Sequence, residues 1–477
     1  MRTRLSLLML LACQTLLPQL KSLEVFLSDS SMKYAAVSFS LIDGTEGTTL
    51  YELNPGRNVI PASVLKLVTS SAALELLGPD HTFTTSIGYN GTLNRKTGVL
   101  DGNITIRGGG DPALGSVEFG DHYDHFADSW ISEILETGIK RITGKVIVDD
   151  SYFDYQPLPG KWLWEDAGNY YGAGAYGLSV YDNTYEIHIR TSSDGKKHEI
   201  TSVLPEECNY NLTDMLNVSG DEDNGYIYAA PYSSNGWMAG TIPAGQEDFI
   251  LKGSITDPPL LMARIIDRKL RESGIKILGE PSTTRLDQRV PEGFVKISDI
   301  NSPPLSEIIK TLNHESINFY AEHLVRELGR KFLNCGSTDS GLVVIHEFLT
   351  DSGTDAEGIF MEDGSGLSPL NSVNASAMTS LLFFMKNKSR YRYDFLSSLP
   401  DAGKEGTLRN FFRDNIFEDR LSAKSGSMTR VRGYAGYLKA VSGKDLIFCL
   451  IVNNFTGPSR SIIKHIEDIL KEIIITN

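Results

Sequence analysis

Ser63 and Lys66 stand three residues apart in PASVLKLVTS (61–70). A serine hydroxyl is a poor nucleophile at neutral pH and needs a base within hydrogen-bond reach. Residues three apart on a helix occupy neighbouring positions of one face. If a helix starts near Ala62, Lys66 sits beside Ser63, and Ser63 lies near the positive end of the helix dipole, where negative charge is favoured. A lysine works as a base only when its pKa falls, through desolvation or a nearby cation. Taken alone, the spacing more often marks a capping serine followed by a solvated lysine.

Two later stretches supply what such a pair needs. HESINFYAEHL carries Ser316 and Asn318: a second hydroxyl to pass a proton towards a leaving group, and an amide to bind a substrate amide. SAKSGSMTRVRGYAGYL carries Lys424, Ser425, Gly426 and Ser427. Lys424 offers a second cation that keeps Lys66 neutral and attracts a carboxylate. On an edge strand, Gly426 lets a substrate backbone come close. The backbone N–H groups of Ser427 and Ser63 are candidates for an oxyanion hole. Each stretch by itself reads as helix caps or a solvated turn.

The elements that must position these residues are legible from periodicity. KYAAVSFSLID alternates as a strand, with TTLYELNP its partner across the Gly44–Gly47 turn. SVLKLVTSSAALELLG reads as a helix with Leu65, Val68, Ala72 and Leu76 on its core face, ending at Gly78-Pro79. From about His81 to Pro281 short strand-like runs alternate with Gly and Pro, as in TFTTSIGYNGTL, GNITIRGGGDP and YEIHIRT. Helices return in DPPLLMARIIDRKLRESG, PPLSEIIKTLNHESINFYAEHLVRELG and STDSGLVVIHEFLTDSG. The end reads as a β-hairpin, GYAGYLKAVSGKDLIFCLIVNNF, followed by the amphipathic helix SRSIIKHIEDILKEII. The expected fold class is α/β (α+β): one unit built from both chain ends and interrupted by a β-rich insertion.

In this order, SVLK, SIN and KSG match the motif set of class A β-lactamases and penicillin-binding proteins. Together with GGGDPAL (108–114), GKVIVDDSYFD (144–154), YGAGAYGLSVYDN (171–183), DPPLLMARIIDRKLRESGIKILG (257–279), NFYAEHL (318–324), EDGSGLSPLN (362–371) and GYAGYL (433–438), the chain resembles one family. These are the DacB-like, class C low-molecular-mass penicillin-binding proteins, D-alanyl-D-alanine carboxypeptidases/endopeptidases of serine peptidase family S13. The resemblance implies a penicillin-recognising, transpeptidase-like domain in two parts, 23–80 and 285–477, around an insert at 81–284 of two nested domains. It implies Ser63 as acylated nucleophile and Lys66 as its base. Ser316 and Asn318 form a second wall, and Lys424, Ser425, Gly426 and Ser427 a strand wall. Met428 and the loop Ser365-Gly366-Leu367 would line the pocket for the peptide stem. The implied activity is carboxypeptidase and endopeptidase action on peptidoglycan peptides, with β-lactams as covalent inhibitors and no metal or organic cofactor. A β-lactamase or esterase on the same scaffold, and a non-catalytic cell-wall binding protein, are the competing readings. Three positions depart from the family pattern: Ile317 where aspartate is common, Ser425 for threonine, and Pro369 for an arginine that would grip a diaminopimelate carboxylate.

Composition bounds the remainder. The 477 residues carry a net charge of −15, which argues against nucleic acid as the main ligand. Arg2 and Arg4 precede an apolar run, Leu5 to about Leu17, in the pattern of a secretory leader over residues 1–22, cleaved nearer Ser22; LLAC ending at Cys13 also resembles a lipoprotein site. A periplasmic or envelope location follows, without a transmembrane segment and with peripheral or lipid association open. The cysteines after the leader, Cys208, Cys335 and Cys449, show no disulfide or zinc spacing and read as isolated buried thiols. His122, Asp124 and His125 lack metal-site spacing and read as a cluster of polar side chains at the surface. His323 reads as a packed or capping histidine.

Overall fold

The computed structural model describes residues 20–477. Of the expected leader, all but the last three residues, and Cys13 with them, lie outside the described residues. Its centre is a five-stranded antiparallel sheet in the order Leu421–Met428, Val431–Lys439, Asp445–Asn453, Ala36–Asp43, Thr49–Leu53. Both chain ends therefore build one sheet, with the hairpin of the C-terminal part beside the first strand. Asp445–Asn453, flanked on both sides, shows why: Ile447, Cys449 and Ile451 enter one core while Leu446, Phe448, Leu450 and Val452 enter another. Period-two alternation with both sets apolar is the pattern of a strand buried on both faces.

Helices Lys21–Ser28 and Ser459–Thr476 cover one face. Leu20, Leu23 and Phe26 pack there with Ile462, Ile466 and Ile473. Glu472 accepts the backbone N–H groups of Lys21 and Ser22 at 3.1 and 2.8 Å, answering donors that a helix start leaves unpaired. The other face is covered by Lys66–Leu77, Leu305–Glu315, Asn318–Leu333 and Ala375–Asn387.

Between Gly78 and Asn301 the chain builds a seven-stranded mixed sheet around Thr84–Asn94 and Val99–Arg107. Helices Phe126–Glu136 and Pro258–Glu272 contribute Trp130, Ile134, Ile265 and Ile266 to its core. Two three-stranded sheets follow: Asn224–Ala229, Asn235–Ile242, Asn211–Val218, and Phe249–Ser254, Thr184–Thr191, His198–Leu204. Their inward residues, among them Ile187, Ile227 and Met238, join the same continuous core. Val295–Asn301 lies past residue 284, the expected end of the insertion, yet it pairs antiparallel with Thr84–Asn94. Six residue pairs, with a register shift between Lys296 and Ser298, join this strand to the sheet of the insertion.

Asn318–Leu333 joins the two regions. Its Tyr320 hydroxyl donates to Ser116 at 2.8 Å, and Tyr152 donates to its Glu327 at 3.0 Å. Arg326, 1% exposed, donates to Asp154 at 2.6 Å and to the carbonyls of Gln156 and Gly336. Cys208 and Cys449 are buried as expected, but Cys335 is exposed. It follows Asn334, the left-handed residue that ends this helix, and so sits in the turn rather than the core. Because Arg326 is buried and ties three acceptors of the turns around it to this helix, Arg326→Leu is expected to cost about 3 kcal/mol, read as a shift in the chemical-denaturation midpoint.

Candidate active site

The chain reaches Ser63 under constraint. Asn453, at the end of a central strand, accepts the Ile60 N–H at 2.7 Å and donates to the Ile60 carbonyl at 3.0 Å. Ala62 then takes φ +48°, a left-handed conformation that costs an alanine roughly 1 kcal/mol or more. A 3-10 turn, Ala62–Leu65, leads into the helix at Lys66. The expected helix thus begins with one tighter turn, and that turn carries the serine.

Lys66 is fully buried. Its Nζ lies 2.9 Å from Ser63 Oγ, 2.6 Å from Asn318 Oδ1 and 2.8 Å from the Ser365 carbonyl. Burial pushes its pKa down to about 7, against the opposing pull of Asp363 and Glu322. An ammonium would donate to all three oxygens. A neutral amine has two N–H bonds and a lone pair; two of the three partners are carbonyl oxygens that can only accept, so the lone pair falls to Ser63.

Ser316 links the helices Leu305–Glu315 and Asn318–Leu333 in a left-handed conformation, φ +62°. Its hydroxyl accepts from Lys424 Nζ at 2.8 Å; Lys424 also reaches the Ser425 carbonyl at 2.9 Å. Lys424 is fully buried, with no carboxylate within ion-pair distance among the described residues. Burial, and then Lys66, hold its pKa well below the ordinary lysine value. The expectation that Lys424 is the permanent cation depressing Lys66 is therefore revised: desolvation comes first for both amines.

Asn318 was expected to face a substrate amide. Both ends of its side chain are already engaged, the oxygen with Lys66 and the Nδ2 donating to the Tyr171 carbonyl at 2.9 Å. Gly426 was expected to admit a substrate backbone. A Cβ there would stand 2.5 Å from the Pro61 carbonyl and 2.9 Å from the Val64 nitrogen, so its bareness lets the edge strand close onto the serine's own turn. Ser425 Oγ shares a hydrogen with Thr407 Oγ1 at 2.8 Å. Ser427 is exposed and Met428 half-buried at the end of that strand. Ser365 contributes its backbone, and Gly366, φ +86°, packs where a Cβ would lie 2.0 Å from the Ala62 carbonyl; Leu367 beside it is half-buried. Ile317 packs against the helical core.

A model of the D-Ala-D-Ala carboxypeptidase 3 (S13) family matches residues 19–473. The chain belongs to that family. A D-alanyl-D-alanine carboxypeptidase of Actinomadura sp. strain R39 is 28% identical over 453 residues, 92% of this chain and 81% of the relative. The fold is that of penicillin binding protein 4 (dacB) from Haemophilus influenzae, with a TM-score of 0.76 at 22% identity, covering 92% of this chain and 95% of that one. A peptidoglycan endopeptidase of Bdellovibrio bacteriovorus superposes with a TM-score of 0.52 at 16% identity, covering 92% of each.

Within this S13 protein, sequence reasoning missed the layer behind Lys66. Glu322 accepts the Gly364 N–H at 3.1 Å and the Ser365 N–H at 2.9 Å. Asp363 accepts from Gly366, Ser368, Asn371 and the Trp162 indole N–H at 2.6–2.8 Å. Both carboxyls are buried; burial, with Asp363 next, pushes Glu322 up to about 8. Together they hold the loop whose Ser365 carbonyl faces Lys66. A signal did exist: Glu322 interrupts the apolar face of NFYAEHL one turn after Asn318.

Other candidates fall outside the cleft. His323 donates from Nδ1 to the Phe319 carbonyl and pairs through Nε2 with Ser179 Oγ, both at 3.0 Å, and burial holds its pKa down to about 3. His125 pairs with Asp124 and Asp128 at the surface while His122 reaches Asn301 O. Since Gly426 abuts the serine turn, Gly426→Ala must part strand and turn. A cost of about 1–3 kcal/mol is expected, seen as a lower melting temperature together with slower labelling by a fluorescent penicillin.

Proposed function

We propose that this S13 protein is a serine-type D-Ala-D-Ala carboxypeptidase that also opens D-Ala-containing peptidoglycan cross-links, working through an acyl-enzyme on Ser63 in the periplasm or cell envelope. The observation that carries the reading is the Lys66 contact set: two obligate acceptors and one hydroxyl around an amine whose pKa burial has brought near neutrality. Lys66 takes the Ser63 proton as Ser63 Oγ bonds to the penultimate D-alanine carbonyl carbon. The backbone N–H groups of Ser63 and Ser427 receive the oxyanion. The C–N bond then breaks, and the proton held by Lys66 passes through Ser316 to the leaving nitrogen. Water adds to the ester carbonyl, gives a proton back towards Lys66, and the C–Oγ bond breaks to free the shortened peptide and restore the Ser63 hydroxyl.

Lys424, Ser425 and Thr407 form the seat proposed for the terminal carboxylate, which would bring Lys424 the counter-charge it lacks. β-Lactams present a carboxylate and an amide carbonyl in the same relation and would acylate Ser63; the Haemophilus relative has been solved with a β-lactam bound. The cross-link reading draws support from the Bdellovibrio endopeptidase that shares the fold.

Intact-mass analysis after benzylpenicillin is expected to show one covalent adduct on the native protein and none on Ser63→Ala. An adduct on both would remove Ser63 from the mechanism, and rapid nitrocefin turnover without D-alanine release would point instead to a β-lactamase. Lys66 loses its proton as pH rises through about 7, so acylation should rise across that range and level off above it. At pH 6 the neutral fraction, and with it the rate, falls about tenfold. A flat profile from pH 5 to 9 would end the case for Lys66 as base.

A further inference from the structure

Beyond Ser316 the cleft does not close. A cavity of about 620 Å³ begins at Glu315–Phe319 and runs between that segment and the insertion. Gly115, Val117 and Glu118 form one side; Thr184, Glu186, Leu204 and Lys252 face it from the small sheets. The far wall is tied to the near one by fixed contacts: Tyr320 to Ser116 at 2.8 Å and to Asp182 at 3.3 Å, and Asn318 to the Tyr171 carbonyl at 2.9 Å. It is therefore a trough braced between the insertion and the Glu315–Phe319 segment, opening directly beside Ser316.

We infer that this cavity is the leaving-group subsite, and that its ligand is the second stem peptide of a cross-link. The inference rests on the endopeptidase reading above and locates it. In the proposed mechanism the leaving nitrogen stands at Ser316, so whatever that nitrogen carries continues past Ser316 into this space. A carboxypeptidase step expels a single D-alanine, which would leave most of 620 Å³ to water. That volume lies within the roughly 300–1,000 Å³ of pockets that enclose organic ligands far larger than one alanine. The lining suits a peptide: the faces of Tyr170 and Tyr181, hydrogen-bonding groups at Thr184 and the Glu186–Lys252 pair at 3.0 Å. Glu315 is answered by Arg409 at 2.9 Å. Glu118 has no ion pair among the described residues, and burial and Glu315 push its carboxyl up. The trough thus turns a carboxyl without an ion pair, offset only at a distance by Arg409, towards its ligand and favours amide-rich or amine-bearing stems over carboxylate-rich ones. No new bond chemistry is added: the cross-link amide is split as described, its nitrogen leaving as the amine of the second stem.

The test narrows the trough without touching the residues around Ser63. Val117 is 83% and Leu204 43% exposed, so Val117→Trp and Leu204→Trp place bulk at the rim with little demand on the core. Three readouts are compared on the full chain: kcat/KM for a cross-linked muropeptide dimer, D-alanine release from a monomeric pentapeptide, and acylation by benzylpenicillin. Dimer cleavage is expected to fall about tenfold in each variant while the other two stay within about twofold. Unchanged dimer cleavage in both variants overturns the subsite. An equal fall in all three readouts also overturns it, since the trough would then serve the acylated stem or the fold. A native protein that releases D-alanine and takes up penicillin but leaves dimers intact refutes the endopeptidase reading itself, a result distinct from either.

Discussion

An amine sealed from water at the foot of a helix is the constraint from which the site's architecture follows. Lys66 has no solvent to satisfy it, so every hydrogen bond must come from protein, and each partner belongs to a different part of the chain: Ser63 from its own turn, Asn318 from the helix that follows the insertion, Ser365 from a loop near residue 365. Leaving a buried polar group unpaired costs about 1–3 kcal/mol. The three segments are therefore held to one another by the contacts that satisfy an amine whose pKa burial has lowered. The loop in turn needs Glu322 and Asp363, and Asp363 needs Trp162 from the insertion. A side chain read as a base thus organises the fold around it.

The insertion is for this reason no passive spacer between Ser63 and Ser316. The Tyr171 carbonyl orients the Asn318 amide, Trp162 holds Asp363, and Ser116 and Asp182 fix Tyr320. Helix Asn318–Leu333 faces both ways, with Phe319, Ala321, Leu324, Val325 and Leu328 in the helical core while Tyr320, His323 and Arg326 bind the insertion. Buried from Phe319 to Gly329, this helix has no polar stripe to spare over that length, and Tyr320, His323 and Arg326 find their partners in the insertion.

Much of this was legible in the residues. Strand alternation at both ends placed one sheet across the termini, and the apolar run around Cys449 marked a strand with two buried faces. The spacing of Ser63 and Lys66 brought them together because one turn of either helix type leaves residues three apart on one side. What the sequence withheld are contacts made by backbone atoms and by residues whose type is common. The Tyr171 and Ser365 carbonyls carry no side-chain signature. Glu322 and Asp363 look like surface acids until the loop between them is closed. Cys335 looks like any core thiol until the helix is seen to stop one residue earlier. Gly426 advertised a close approach, but not which backbone would make it. The pairing of Val295–Asn301 with Thr84–Asn94 joins residues some two hundred positions apart, beyond any local pattern.

The two lysines leave one electrostatic question that the proposed chemistry answers. Lys66 and Lys424 both lie in the dry part of the cleft, and among the described residues Lys424 hydrogen-bonds a hydroxyl and a carbonyl but no carboxylate. Neither position favours a second charge while the first is present. A substrate carboxylate arriving at Lys424 reverses that balance, because an anion at hydrogen-bond distance stabilises the ammonium. Once Lys424 is charged, its field bears on Lys66 and lowers the affinity of that amine for a proton. On this mechanism the base is made ready by the same group that identifies the substrate. A ligand without the carboxylate would leave Lys424 without that stabilisation, its pKa still held down by burial and Lys66. Recognition and activation then share one interaction on this mechanism.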